Sequence, residues 1–249
     1  MRRWYSWLSI PILILVWYAI ASRYPSYVFP SPTDVLVQMG VQFRQLQFYG
    51  DVGLSLARIA VGFGFATLIA LLIGLLAGLS EVLRNMLSPV VSFFQATPPL
   101  AWAPLFIVMF GLGNSSMVAV IFMASFFPVV ISVMQGVERI QESHIRAARM
   151  LGATGWKLGL YVYLPEVAPA AITGIYVGFG VAWRSLVAAE MIGGNAGLGY
   201  FISTNGQTGN PAAVMLGILV VGFLSWLFDR LMLRPLKHRL AGWSTSAEI

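Results

Sequence analysis

Charged side chains are scarce in this sequence, and their positions are its first signal. Arg58, Arg184 and Glu190 lie within or at the ends of long apolar runs. An ionised group there is costly and usually faces a cavity or a partner. Arg184, midway along its run beside Trp183, is placed to line a pore and donate hydrogen bonds to an anionic group such as a sulfonate. The alternative is a structural pair with Glu190 or with a residue of another run. Arg184 and Glu190 are six residues apart and fall on different faces of one helix, so that pair would have to form between helices. Arg58, near the start of its run, is expected to snorkel to the interface.

Other chemistries find little support. No nucleophile, base and orienting group can be assembled, so no catalytic residue is assigned. His144 and His238 are far apart and there is no cysteine, so no metal site is read. The methionines read as flexible packing. The stretch Gly152-Ala153-Thr154-Gly155-Trp156-Lys157 is glycine-rich but lacks the G-x-x-x-x-G-K-[ST] spacing that cradles nucleotide phosphates.

The elements that carry these residues follow from composition. Of 249 residues, 58% are hydrophobic and 10% charged, against about 25% charged in soluble domains. Lipid is therefore the expected solvent. The net charge of +6 fits basic loops between spans better than a nucleic-acid footprint. The pattern predicts an all-α membrane protein of one domain with six transmembrane helices, at 4–22, 55–80, 88–110, 116–137, 167–189 and 211–229. Ala19-Ile20-Ala21 resembles a signal cleavage site, but the run before it is long enough to read as the first span.

Between the first two spans, Phe29-Pro30-Ser31-Pro32 reads as extended. Thr33 or Asp34 would then cap an amphipathic surface helix with Val35, Met39, Phe43 and Leu46 on one face. In the second span, Gly62, Gly64, Gly74, Ala77 and Gly78 permit close helix contact. In the third, Thr97 to Pro104, with Pro98, Pro99 and Trp102, must break the helix. The break either lines a cavity or is an interfacial kink. Residues 193–210 read as a glycine- and asparagine-rich connection.

The polar stretch 138–166 stands apart, with helical charge spacing through Arg139, Glu142, Arg146 and Arg149. Gly152 sits where a helix would end in a left-handed residue. Thr154 can cap a second short helix ending near Leu164-Pro165. Eleven Lys and Arg fall on the side of this stretch and of both termini, among them Arg2, Arg3, Arg84, Arg234, Lys237 and Arg239. Arg23 and Arg44 fall on the other. The first side is therefore expected to be cytoplasmic. No internal repeat of the secondary-transporter kind is visible.

At this stretch the chain resembles permease subunits of binding-protein-dependent ATP-binding cassette importers. Their cytoplasmic motif runs EAA, three residues, Gly, nine residues, Ile, one residue, Leu-Pro. Here Arg146-Ala147-Ala148, Gly152, Val162 and Leu164-Pro165 stand at the same offsets, with Arg for Glu and Val for Ile. Pro30-Ser31-Pro32, Ser55 to Ile59, Pro98 to Trp102, Phe110 to Gly113, Leu186 to Glu190 and Gly197-Leu198-Gly199 look like the nitrate, sulfonate, taurine and bicarbonate branch, closest to its taurine-type permeases. The resemblance implies the type I importer fold, with 138–166 as a two-helix coupling loop and Arg146, Ala147, Ala148, Gly152, Ala153, Leu164 and Pro165 docking the ATPase. It implies a second copy of the chain completing the pore, two cytoplasmic ATPase subunits that bind ATP and Mg, and a periplasmic or lipid-anchored solute-binding protein, in a bacterial inner membrane. Its substrates are taurine, aliphatic sulfonates, nitrate, bicarbonate or pyrimidine precursors. Pro98, Pro99, Trp102, Arg184 and Glu190 become pathway candidates. A stand-alone channel or secondary transporter would have no need of the docked loop.

Overall fold

The structure, a computed structural model, describes residues 5–233 and 235. Arg2, Arg3, Arg234, Lys237 and Arg239, counted above for orientation, lie outside them, as does His238. The described residues form α1 (Tyr5–Ala21), α2 (Pro32–Gln42), α3 (Leu46–Leu79), α4 (Glu81–Ala96), α5 (Ala103–Phe110), α6 (Asn114–Glu138), α7 (Glu142–Met150), α8 (Trp156–Leu158), α9 (Leu164–Gly193), α10 (Leu198–Gln207) and α11 (Pro211–Phe228).

Packing centres on α6, with α3 on one flank and α9 on the other. Small residues let the backbones approach. A Cβ on Gly62, Gly74 or Gly78 of α3 would fall within 3 Å of Ile121, Val133 or Val137 of α6. Gly64 points away from any neighbour, so it takes no part in that contact. The paired positions rise together along both helices, so α3 and α6 run parallel. On the other flank, Gly136 faces Ala170, Gly174 faces Ser132 and Gly178 faces Ser125, an antiparallel pairing. Close approach through small side chains is how helices associate in lipid, where dispersion replaces the hydrophobic drive.

The parallel pairing decides the path of the third segment. The helix breaks at Thr97, a 3₁₀ turn spans Pro99–Trp102, and α4 and the following turn and helix are bent by 90°. The prolines cannot donate backbone hydrogen bonds. The Thr97 hydroxyl returns to the Phe93 carbonyl at 3.0 Å, satisfying one freed acceptor. Because α3 and α6 are parallel and in register, the chain from Leu79 to Asn114 must travel the length of the bundle. It is a broken crossing, starting at Glu81 rather than at 88. Among the described residues, four helical stretches are long and apolar enough to cross a membrane, or five with the bent pair. The six spans expected from the sequence are not all found: α1, whose 17 residues span about 25 Å, is a shorter apolar helix.

Several boundaries move. Ser31, not Thr33 or Asp34, caps α2, and Asp34 completes a capping box by accepting from the Ser31 hydroxyl at 2.7 Å and backbone N–H at 2.9 Å. Those bonds, the hydroxyl's first, hold the Asp34 pKa below the usual carboxylate value. Val35 and Met39 of α2, with Phe43 just after it, face Leu216, Val220 and Phe223 of α11. The connection read over 193–210 contains α10, whose Leu198, Phe201 and Ile202 bury against Phe48 and Ala213. Nor does the helix after Thr154 stop at Leu164-Pro165. A short α8 passes through a π-helical stretch, Gly159–Tyr163, directly into α9. There the Leu164 N–H reaches the Gly159 carbonyl, and this wider turn admits the Pro165 ring that an ordinary α-turn would reject.

Candidate functional site

Two places concentrate polar chemistry. The first is a buried cluster at the bundle end where α3 and α6 begin. Asp51, Ser55 and Arg58 are spaced by four and three residues, on one face of α3. Arg58 Nη1 meets Glu190 Oε1 at 2.8 Å, with the two side chains 2% and 0% exposed. Arg58 also donates from Nε to Asn114 Oδ1 at 2.9 Å and from Nη1 to the Ala196 carbonyl at 2.7 Å. The cluster ends on the first amides of α10. The Gly197 N–H donates to Asp51 Oδ1 at 2.7 Å, the Leu198 N–H to Ser55 Oγ at 2.9 Å, and the Gly199 N–H to Glu190 Oε2 at 2.8 Å. Ser55 Oγ in turn donates to the Glu190 carboxylate at 2.8 Å. Helix starts carry unpaired N–H groups and a partial positive charge. Here two carboxylates and a hydroxyl from α3 and α9 supply all three acceptors.

This corrects the reading of Arg58, which does not snorkel but sits inside the bundle. It also settles the partner of Glu190, which is Arg58 and not Arg184. Glu190 is fully buried. Glycine is required at the turn itself. Gly197 has φ +114°, and a Cβ there would stand 2.5 Å from Glu190 Oε1. Arg184 lies apart, exposed on α9 in a 540 Å³ groove with Tyr176, Ser225 and Trp226. Pro98 is exposed and Pro99 half-buried. Trp102 packs on Phe94 at 5.5 Å, and Phe94 stacks on Phe127.

The second place is the opposite end, where α7 carries Arg146, Ala147 and Ala148 and has no buried residue. Its end is a Schellman turn. The Ala153 N–H reaches the Ala148 carbonyl at 2.9 Å and the Gly152 N–H reaches Arg149 at 3.0 Å, with Gly152 at φ +85°. Arg146 pairs with Glu142 one turn back. His144 Nδ1 meets Glu166 Oε1 at 2.8 Å, tying α7 to the first turn of α9, beside Leu164 and Pro165. On either side of the turn, Met150, Leu151 and Trp156 are 81%, 89% and 70% exposed. Three large apolar side chains held out on a charged segment mark an interaction surface. Among the described residues, no group of three or more His, Cys, Asp or Glu can hold a metal ion.

Residues 66–234 match the family model of the binding-protein-dependent transport system inner membrane component. The chain belongs to this family. It is 35% identical to the taurine transport system permease protein TauC of Escherichia coli (strain K12), over 94% of this chain and 88% of that one. It is 30% identical to the putative aliphatic sulfonates transport permease protein SsuC of Bacillus subtilis (strain 168), covering 99% and 91%. Identity to the nitrate import permease protein NrtB of Synechococcus elongatus is 29%, covering 90% and 85%. The fold is similar to that of a chain of the MetNI methionine ABC transporter in an inward-facing conformation, with TM-score 0.61 and 20% identity over 76% of this chain and 96% of that one. The family member described here is thus an ABC importer permease subunit of the taurine, nitrate and sulfonate branch.

Proposed function

We propose that this permease moves a small anionic or zwitterionic solute, taurine or an aliphatic sulfonate, from a solute-binding protein to the cytoplasm. The relatives named for taurine and sulfonates support that substrate class, with nitrate, bicarbonate or a pyrimidine precursor as the alternative within the same importer class. Two copies form the pore and two ATPase subunits bind ATP and Mg. Both termini and 138–166 lie in the cytoplasm of a bacterial cell. Arg146, Ala147, Ala148, Gly152, Ala153, Leu164 and Pro165 shape the coupling loop. Pro98, Pro99, Trp102 and Arg184 border the pathway, while Glu190 braces it from within through Arg58.

The observation that carries the reading is the exposed α7 with its Schellman turn and the apolar trio at Met150, Leu151 and Trp156. Closure of an ATPase pair gripping this element would pull α9, because the chain passes from the loop into α9 without a break in helix. Uptake in proteoliposomes containing the complex tests it. Gly152→Asp is expected to abolish uptake and substrate-stimulated ATP hydrolysis, and unchanged values for both would refute the coupling role. Normal uptake by Arg184→Gln would remove Arg184 from the pathway.

A further inference from the structure

In a chain this apolar, α4 is unusual. Arg84, Ser88 and Ser92 recur every four residues, followed by Gln95, and so share one face of the helix. A second face, Leu83, Leu87, Val91 and Phe94, packs into the core. A third, Val82, Met86, Val90 and Phe93, is exposed and wholly apolar, as lipid requires. The polar row meets α6 in a 160 Å³ cleft lined by Arg84, Ser88, Ser92, Gln135 and Glu138 over an apolar floor. The hydroxyls of Ser88 and Ser92 and the amide of Gln135 are exposed. Facing hydrocarbon they would be costly, so they face water or a solute. The cleft lies at the bundle end that carries α7.

The charge in the cleft is arranged for exchange. Arg84 Nη1 stands 3.3 Å from Glu138 Oε1, and Nη2 donates to the Gly78 carbonyl at 3.0 Å. Arg84 Nε is buried and has no partner among the described residues. A guanidinium held by a 3.3 Å contact to a half-exposed carboxylate, with flanking hydroxyls, suits a small oxyanion. Glu138 closes α6 immediately before the loop that leads to α7.

We propose that the cleft between α4 and α6 is the inner section of the solute path, where a nitrate- or sulfonate-sized oxyanion binds Arg84 in competition with Glu138. The proposal rests on the permease reading. The chain has no cysteine, so in the reconstituted complex each single-cysteine variant places one reactive thiol in this subunit, and the complex with the wild-type chain sets the background. Ser88→Cys and Ser92→Cys are expected to react with a charged methanethiosulfonate at least tenfold faster than Val90→Cys and Phe93→Cys. Sodium nitrate or taurine should slow that labelling. In the Ser92→Cys background, Arg84→Gln should abolish the protection, and Glu138→Gln should lower the concentration that gives half-protection several-fold. Equal labelling of Ser92→Cys and Phe93→Cys would overturn the path. Equal loss of protection in Arg84→Gln and Glu138→Gln would make the pair a structural brace and overturn the competition. Labelling needs no transport, so failure of the wild-type complex to import taurine or nitrate would sink the proposed substrate class while still leaving the cleft decided.

Discussion

Replacing Glu190 by leucine tests the buried cluster at its centre. The substitution removes the acceptor of Arg58 Nη1, of Ser55 Oγ and of the Gly199 N–H, which lie 2.8 to 2.9 Å from the carboxylate. Arg58 keeps Asn114 and the Ala196 carbonyl, but its charge loses its only buried counter-ion at salt-bridge distance among the described residues. Breaking one side of a buried pair costs about 3–5 kcal/mol. The orphaned amide belongs to the same penalty and is not added to it. For a chain of this size about 1 kcal/mol shifts the thermal midpoint by 2–4 °C, so the loss should be roughly 6–20 °C. The double variant Arg58→Met, Glu190→Leu removes both charges and should recover a substantial part, because an apolar pair of similar volume often replaces a buried ion pair without loss. Thermal unfolding of the detergent-solubilised complex measures all four corners of the cycle. A single variant within about 1 kcal/mol of wild type, or a double variant no better than the worse single, would refute the account of this cluster.

Other substitutions follow from the same geometry. Gly74→Ala places a Cβ 2.8 Å from Val133 Cβ and should destabilise by about 1–3 kcal/mol. Gly64→Ala meets nothing within 4 Å and should be neutral or slightly stabilising, and thermal unfolding separates the two. Gly152→Ala forces a side chain into φ +85°, costing about 1–2 kcal/mol locally; hydrogen exchange at the Ala153 amide should speed up while that of α6 stays unchanged. The lowered pKa of Asp34 gives the capping box a defined pH window. Its contribution is present above the ordinary carboxylate pKa and is lost as pH falls through the lower folded value. Protection of the Ser31 amide, which donates to the Asp34 carboxylate, should therefore fall only on acidification, and Asp34→Asn should remove that pH dependence.

Much of the fold was legible because lipid imposes long apolar runs: α6 and α11 lie within about two residues of the spans read from composition. The rest was hidden by partners distant in sequence. Asp51 and Arg58 look like reasons to start the second span late, yet α3 begins at Leu46. Their charges are met by Gly197 and Glu190 more than 130 residues away. The four-and-three spacing of Asp51, Ser55 and Arg58 was the available signal, and it marks a face without naming what the face meets. Leu198, Phe201 and Ile202 carried the helical period of α10 beneath a glycine- and asparagine-rich composition. The polar stretch 138–166 was the opposite case. Its turn depends on local hydrogen bonds closed by Gly152, so spacing located the turn, though not the end of the helix after it.

The central claim is that α7 and its apolar trio hand the force of a separate ATPase to the helix bundle. Copurification of that ATPase with this chain measures it most directly, comparing wild type with Leu151→Glu, a residue 89% exposed and free to change without disturbing the core. The account predicts that the ATPase accompanies the wild type and is lost from the variant, while the thermal midpoint of the permease is unchanged. Full retention of the ATPase by Leu151→Glu, with solute uptake intact, would contradict it.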